Sequence, residues 1–179
     1  MKIKHTKTVI GSFEEVYGLI NDVGRWPEIV EHIGDVKVLG MESRKLVVEM
    51  ATRGGVLPFK MTALQESLPG ERRIIFSHVK GVMKGVEVEW TFDHVSLKNK
   101  GLVLVSVIHD FRNISSARTY ILNRYFIQGR TETMLVRLKE VAEAGFLAKV
   151  LLLGGDISEE MDWASGSMFE NELVTVKVY

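Results

Sequence analysis

Between residues 34 and 111 the chain alternates apolar and polar side chains in six successive stretches. They read "DVKVLGMES", "KLVVEMATR", "LPFKMTALQES", "RRIIFSHVK", "GVEVEWTFDHV" and "GLVLVSVIHDF". A strand turns successive side chains to opposite faces, so each stretch has one dry face and one wet face. The clearest is the fifth: Val86, Val88, Trp90 and Phe92 face one way, while Glu87, Glu89, Thr91 and Asp93 face the other. The separators are short and turn-forming: Glu42-Ser43-Arg44, Gly54-Gly55, Pro69-Gly70, Gly81 to Gly85, and Lys98-Asn99-Lys100-Gly101. Consecutive strands should therefore pair as antiparallel hairpins, in a sheet with one face covered.

The period then changes. After Phe111 the apolar period becomes 3.6, and residues 116 to about 149 read as one long helix. Met134, Leu138, Val141 and Gly145 form one row, with Leu135, Leu138 and Ala142 beside it. The first ten residues add a seventh strand, with Ile3, His5 and Val9 on one side. Gly11 ends it. Ser12 and Glu15 then make a capping box for a helix that buries Phe13, Val16, Tyr17, Leu19 and Ile20 and runs to Val23, before Gly24. Pro27 opens a second short helix, "PEIVEHI", where its missing N–H costs nothing. The fold class is α+β.

Composition narrows the function. The 179 residues suit one domain, 46% are apolar, and 23 basic residues balance 23 acidic ones. That balance gives no overall attraction to nucleic acid or to an anionic membrane. Absence of cysteine removes disulfides, thiolate metal sites and a Cys nucleophile. "MKIKHTKTVIG" has no apolar core of signal-peptide length. The longest apolar stretch, 146–155, is about half of what a membrane-spanning helix needs. These features predict a cytoplasmic protein with no stable membrane insertion. No Gly-x-Ser-x-Gly elbow or phosphate loop occurs, and the histidines fall one per strand, without metal-ligand spacing. No metal and no cofactor are expected.

The order of elements and the stretch "VYGLINDVGRWPEIVEHIGDVKVL" resemble the START-like (SRPBCC) helix-grip superfamily. Its members include birch-type pollen allergens, lipid-transfer domains, polyketide cyclases/aromatases and coenzyme Q-binding proteins. The Asp-x-x-x-Trp-Pro break between an apolar helix and a strand is similar to the polyketide cyclase/dehydrase branch. So are "GVEVEWTFDHV" and "LVSVIHDFR". The resemblance covers residues 1–149. It implies a seven-stranded curved antiparallel sheet around a long C-terminal helix, two short helices closing one end, and an apolar cavity between sheet and helix. Trp26 would plug or gate that end.

Residues 150–179 depart from the family pattern as an acidic extension. From 156 onward it holds Asp156, Glu159, Glu160, Asp162, Glu170 and Glu172 against Lys177 alone. Two readings stand: a surface extension, or a strand at 173–179 that adds to a sheet edge, its own or that of a partner in a homodimer.

Strand parity selects a candidate ligand lining: Met50, Phe59, Met61, Phe76, His78, Val88, Trp90, Phe92, Val107 and His109, joined by Trp26 from the break between the short helices and by Tyr125 and Phe126 from the long helix. Val48, Ile74, Val105, Tyr120 and Met134 are further candidates. For each apolar residue the alternative is plain core packing. His78 and His109 lie on the apolar face, as neutral hydrogen-bonded imidazoles or as acid–base groups. His5 joins them if its strand pairs alongside. His32 and His94 are element-end positions expected to face solvent.

Three functions are compatible with this container. The first is binding of a hydrophobic small molecule such as a lipid, an isoprenoid quinone or an aromatic polyketide. The second, implied by the resemblance, is a cofactor-free aromatase/cyclase that performs aldol condensation and dehydration. It would use His78 or His109 as base and Tyr125 or Arg112 as donor. The third is a protein-interaction domain whose cavity is vestigial.

Overall fold

A computed structural model of the protein describes residues 1–53, 59–97, 100–152 and 177–178. Strand β1 (Lys2–Ile10) buries Ile3, His5 and Val9, as the alternation predicts. Ser12 caps α1 (Phe13–Asn21): its Oγ accepts from the Glu15 N–H at 3.2 Å, and Glu15 accepts in return from the Ser12 N–H at 3.1 Å. Val16, Tyr17, Leu19 and Ile20 turn inward. The helix ends at Asn21, two residues earlier than the pattern suggested. Asp22 takes the Gly24 N–H at 3.1 Å and starts a separate 3-10 turn over Val23–Arg25. An Asp side chain that bonds its own backbone two residues on competes with helix continuation.

The second helix is also shorter than predicted. It is the single turn α2 (Trp26–Ile29), because Ile33 already belongs to the next strand, where it pairs with Thr52. Six strands follow: β2 (Ile33–Glu42), β3 (Lys45–Thr52), β4 (Lys60–Leu68), β5 (Arg73–Gly81), β6 (Glu87–Leu97) and β7 (Lys100–Asp110). Each pairs antiparallel with the next, and β7 pairs with β1 from Lys2–Asp110 to Ile10–Leu102. The β2–β3 hairpin turns through Ser43 and Arg44, both at positive φ (49° and 67°). Two such residues give the turn the handedness that matches strand twist. The separators at Gly54-Gly55 and Lys98-Asn99 lie outside the described residues. A two-residue strand β8 (Lys177–Val178) pairs antiparallel with Ile3 and Lys4 on the free edge of β1. The rest of the acidic extension, 153–176, lies outside the described residues.

The expected single C-terminal helix is two. After α3 (Ser116–Leu122) the backbone widens into a π turn over Asn123–Ile127, closed by the Gln128 N–H on the Asn123 carbonyl at 2.9 Å. Gln128 is extended and Gly129 sits at φ +82°, so the i→i−4 ladder stops there. Helix α4 (Arg130–Leu152) then crosses the dry face of the sheet and packs along β1. Met134, Leu135, Leu138 and Ala142 are buried against the sheet; Val141 is half-buried, and Gly145, placed in the same row by the sequence, is exposed. Glu143 on α4 accepts the Ile10 N–H at 3.2 Å, and Lys149 pairs with Glu15 at 3.0 Å. Together these contacts fix α4 against β1 and α1. This is the α+β helix-grip architecture, with the sheet wrapped around one long helix.

Candidate functional site

The grip leaves a cavity of about 90 Å³ between the sheet and the start of α4. The sheet contributes Met50, Met61, Phe76, Val88, Trp90 and His109. Trp26, Val30 and His32 close one side, and Phe126, Ile127, Thr131 and Met134 close the helical side. Four methionines, Met50, Met61, Met83 and Met134, line it, half of the eight in the chain.

Trp26 is fixed before it reaches the cavity. Its indole N–H donates to the Ile20 carbonyl at 2.9 Å, and its ring meets Phe76 with centroids 4.9 Å apart. The break between α1 and α2 therefore presents an anchored aromatic wall. Of the other predicted lining residues, Met50, Met61, Phe76, His78, Val88, Trp90, His109 and Phe126 also border the cavity.

Several predicted residues lie elsewhere. Phe92 is fully buried among Phe13 and Tyr17, at centroid distances of 6.2 and 5.3 Å, away from the cavity. Val107, Val48, Ile74 and Val105 are solid core. Phe59 is 39% exposed and meets the edge of Phe126 from outside. Tyr125, in the π turn, and Tyr120, in α3, are 67% and 69% exposed. Arg112 does not reach the cavity either. Its Nε bonds Asp110 at 2.7 Å, and its Nη2 makes a second contact with the same oxygen. Burial opposes ionisation of Asp110, but the bonds from Arg112 and Lys2 outweigh it and hold the carboxyl at about 2.

His32 reverses its expectation: it is half-buried and lines the cavity. It sits in the turn between α2 and β2. His94 is exposed. Thr52, Val82, Met83, Arg130 and Thr131 also line the cavity without having been singled out. Met83 lies between Gly81 and Gly85 and reads as turn, so alternation carries no signal for it. Arg130 and Thr131 follow Gly129, and that glycine in a long helical pattern is the one sign of a break there.

The polar groups share one feature. His78 Nδ1 lies 3.3 Å from the Val86 carbonyl. His109 Nδ1, Trp90 Nε1 and both ring nitrogens of His5 are buried with no hydrogen-bond partner. His5 stands behind His109 with ring centroids 6.2 Å apart, edge to face. Burial, reinforced by His5 and His78, pushes His109 down to about 3. Burial lowers His78 to about 4; burial and then Arg130 lower His32 to about 4. All three are neutral at pH 7. Among the described residues, no group of three His, Asp or Glu side chains could hold a metal ion, and no helix is long and apolar enough to cross a membrane.

A curved sheet gripping a helix over an apolar cavity defines the helix-grip architecture. The profile of the polyketide cyclase/dehydrase and lipid transport family matches residues 11–134, more than half of the chain, and the chain belongs to that family. Among solved structures, the Zhui aromatase/cyclase of a Streptomyces species is 16% identical with a TM-score of 0.67, over 80% of this chain and 93% of that one. A Thermus thermophilus protein is 16% identical with a TM-score of 0.62, over 81% and 99%. The di-domain aromatase/cyclase BexL is 20% identical with a TM-score of 0.64, over 78% of this chain and 45% of that one. At these identities the likeness is one of fold. No curated protein matches the chain in sequence.

Proposed function

We propose that this protein binds a hydrophobic small molecule between the sheet and α4. The ligand is a lipid, an isoprenoid quinone or an aromatic polyketide. The observation that supports this reading is the cavity wall itself: aromatic and methionine side chains around a few buried, unpartnered polar atoms. Sites for drug-sized ligands occupy roughly 300–1,000 Å³, so a ligand of that size needs the wall to move. Methionine is unbranched and refills irregular space at little cost, and four of them surround this cavity.

A second reading is cofactor-free cyclisation, supported by His109 in the cavity wall with Nδ1 unpartnered. Against it, a base works best when its pKa lies near the working pH, and burial takes His109 to about 3. Simple binding asks less of the same groups: a neutral imidazole and an indole N–H can hydrogen-bond a ligand oxygen without accepting its proton.

Native mass spectrometry followed by denaturing extraction tests the proposal. The expected result is a discrete added mass that is released on denaturation and is apolar by chromatography. A protein that remains bare, and binds no lipid, quinone or polyketide offered to it, would count against the proposal. His78→Gln and His109→Gln separate the two readings, since a binder keeps most of its affinity and a cyclase loses turnover.

A further inference from the structure

The apolar cavity adjoins a second concavity of about 390 Å³, and the two share His32, Arg130 and Met134. The remaining walls of the second are Glu31, Arg53, Gly129 and Thr133. Its character is different. Two guanidinium groups face one carboxylate, and His32 is neutral at pH 7. The Arg130 guanidinium lies over the Phe126 ring at 5.5 Å, and Phe126 is itself part of the cavity wall. That contact holds a cation at the line where apolar wall meets polar groove.

Four of the other arginines are occupied, while Arg44, Arg72, Arg118 and Arg124 form no ion pair among the described residues. Arg25, Arg73, Arg112 and Arg137 each pair with a carboxylate. Neither Arg53 nor Arg130 forms an ion pair among the described residues. An unpaired surface arginine is ordinary by itself. These two differ in place, because both border a concavity that runs up to the cavity. An apolar molecule seated in the cavity would bring its outer end within reach of a guanidinium, which is suited to oxyanions by its planar fork of donors.

Resting on the binding reading above, we infer that the ligand is an amphipathic anion. Its apolar body occupies the methionine-lined cavity. Its carboxylate or phosphate lies in the adjoining groove, held by Arg130 with Arg53. A neutral hydrocarbon of the same shape leaves both cations unused and binds more weakly.

Isothermal titration of the full chain at low ionic strength with octanoate, octyl phosphate and 1-octanol tests this. These share one apolar chain and differ in head group. The expected result is that at least one anion binds about tenfold or more tightly than 1-octanol, the range of a charge-assisted hydrogen bond. The better of the two anions tells carboxylate from phosphate. Arg130→Gln should abolish the preference for the anion over 1-octanol, Arg53→Gln should reduce it, and Arg130→Lys should keep part of it. Equal binding of all three probes, or a preference that survives the double Arg53→Gln, Arg130→Gln variant, overturns the inference while the cavity reading stands. If none of the three binds, the inference falls, and the native mass measurement above decides whether the cavity reading falls with it.

Discussion

The indole N–H of Trp26 donates to the carbonyl of Ile20 at 2.9 Å, and the same ring leans on Phe76 of the sheet. One side chain thus closes the end of α1, fixes the entry to α2 and forms a wall of the cavity. The Ile20 carbonyl is one of the last acceptors of a helix, and such groups are costly to bury unpaired.

Trp26→Phe keeps most of the ring and deletes the donor. It should cost about 1–3 kcal/mol, whereas Trp26→Ala should cost about 3–5 kcal/mol through the void it leaves. Urea unfolding checks both. Equal stability of Trp26→Phe and wild type would show that the hydrogen bond contributes nothing.

The histidines around the cavity make stability depend on pH. His109 has its pKa lowered from 6.5 to about 3 in the folded chain, and His78 and His32 to about 4. Between those values and 6.5 the unfolded chain binds more protons than the folded one, so stability falls as pH falls from about 6.5 toward 4. A fully buried site contributes a slope of up to about 1.4 kcal/mol per pH unit. His109→Gln should flatten the curve in that window. Stability that rises on acidification from pH 6.5 to 5 would contradict the assignment.

Two glycines should respond differently to the same substitution. Gly129 sits at φ +82° with open space where a Cβ would go, so Gly129→Ala pays only the left-handed conformation, about 1–2 kcal/mol. Gly81 sits at φ +85°, and a Cβ there would lie 2.2 Å from the Lys60 carbonyl oxygen. Backbone cannot step aside within a paired strand, so Gly81→Ala should be clearly the more damaging. Thermal melts of the two variants, read side by side, decide it.

Methionine gives the cavity its adaptability, on the reading proposed above. Replacing Met50 and Met61 together by leucine nearly conserves volume and should cost less than about 1.5 kcal/mol per site. The range of ligand sizes accepted should narrow, since leucine has fewer rotamers to offer. A homologous series of straight-chain acids, titrated against wild type and the double variant, tests whether the cut-off in chain length moves.

Much of this architecture was legible because burial in a sheet repeats every second residue. That rule placed Ile3, His5, Met50, Met61, Phe76, Trp90 and His109 on one dry face. It could not say which dry-face residues border empty space. Phe92 and Trp90 share a strand and a face, yet Phe13 and Tyr17 fill the room over Phe92, while the room over Trp90 stays open. Side chains from other elements set that difference, and strand parity does not encode them. His32 and Met83 escaped for a related reason: both sit in turns, where no period governs direction. The long helix misled because its apolar rows continue through Gln128-Gly129, so a break in the backbone leaves little trace in the pattern. A left-handed glycine inside a periodic stretch was the available warning.

Pairing of β1 with β7 also bears on how the chain is made. Lys2 is synthesised long before its strand partner, Asp110. At roughly 5–20 residues per second, the N-terminal strand waits about 5–20 seconds for that partner. Throughout that interval Ile3, His5 and Val9 have no sheet to join, and α4, which covers them, arrives later still. The hairpins from β2 to β7 can form locally as they emerge, so the growing sheet is ready to receive its first strand nearly last. Conditions that stall synthesis between these two events should therefore expose this strand to chaperones, and the nascent chain should stay sensitive to protease at β1 until α4 is out.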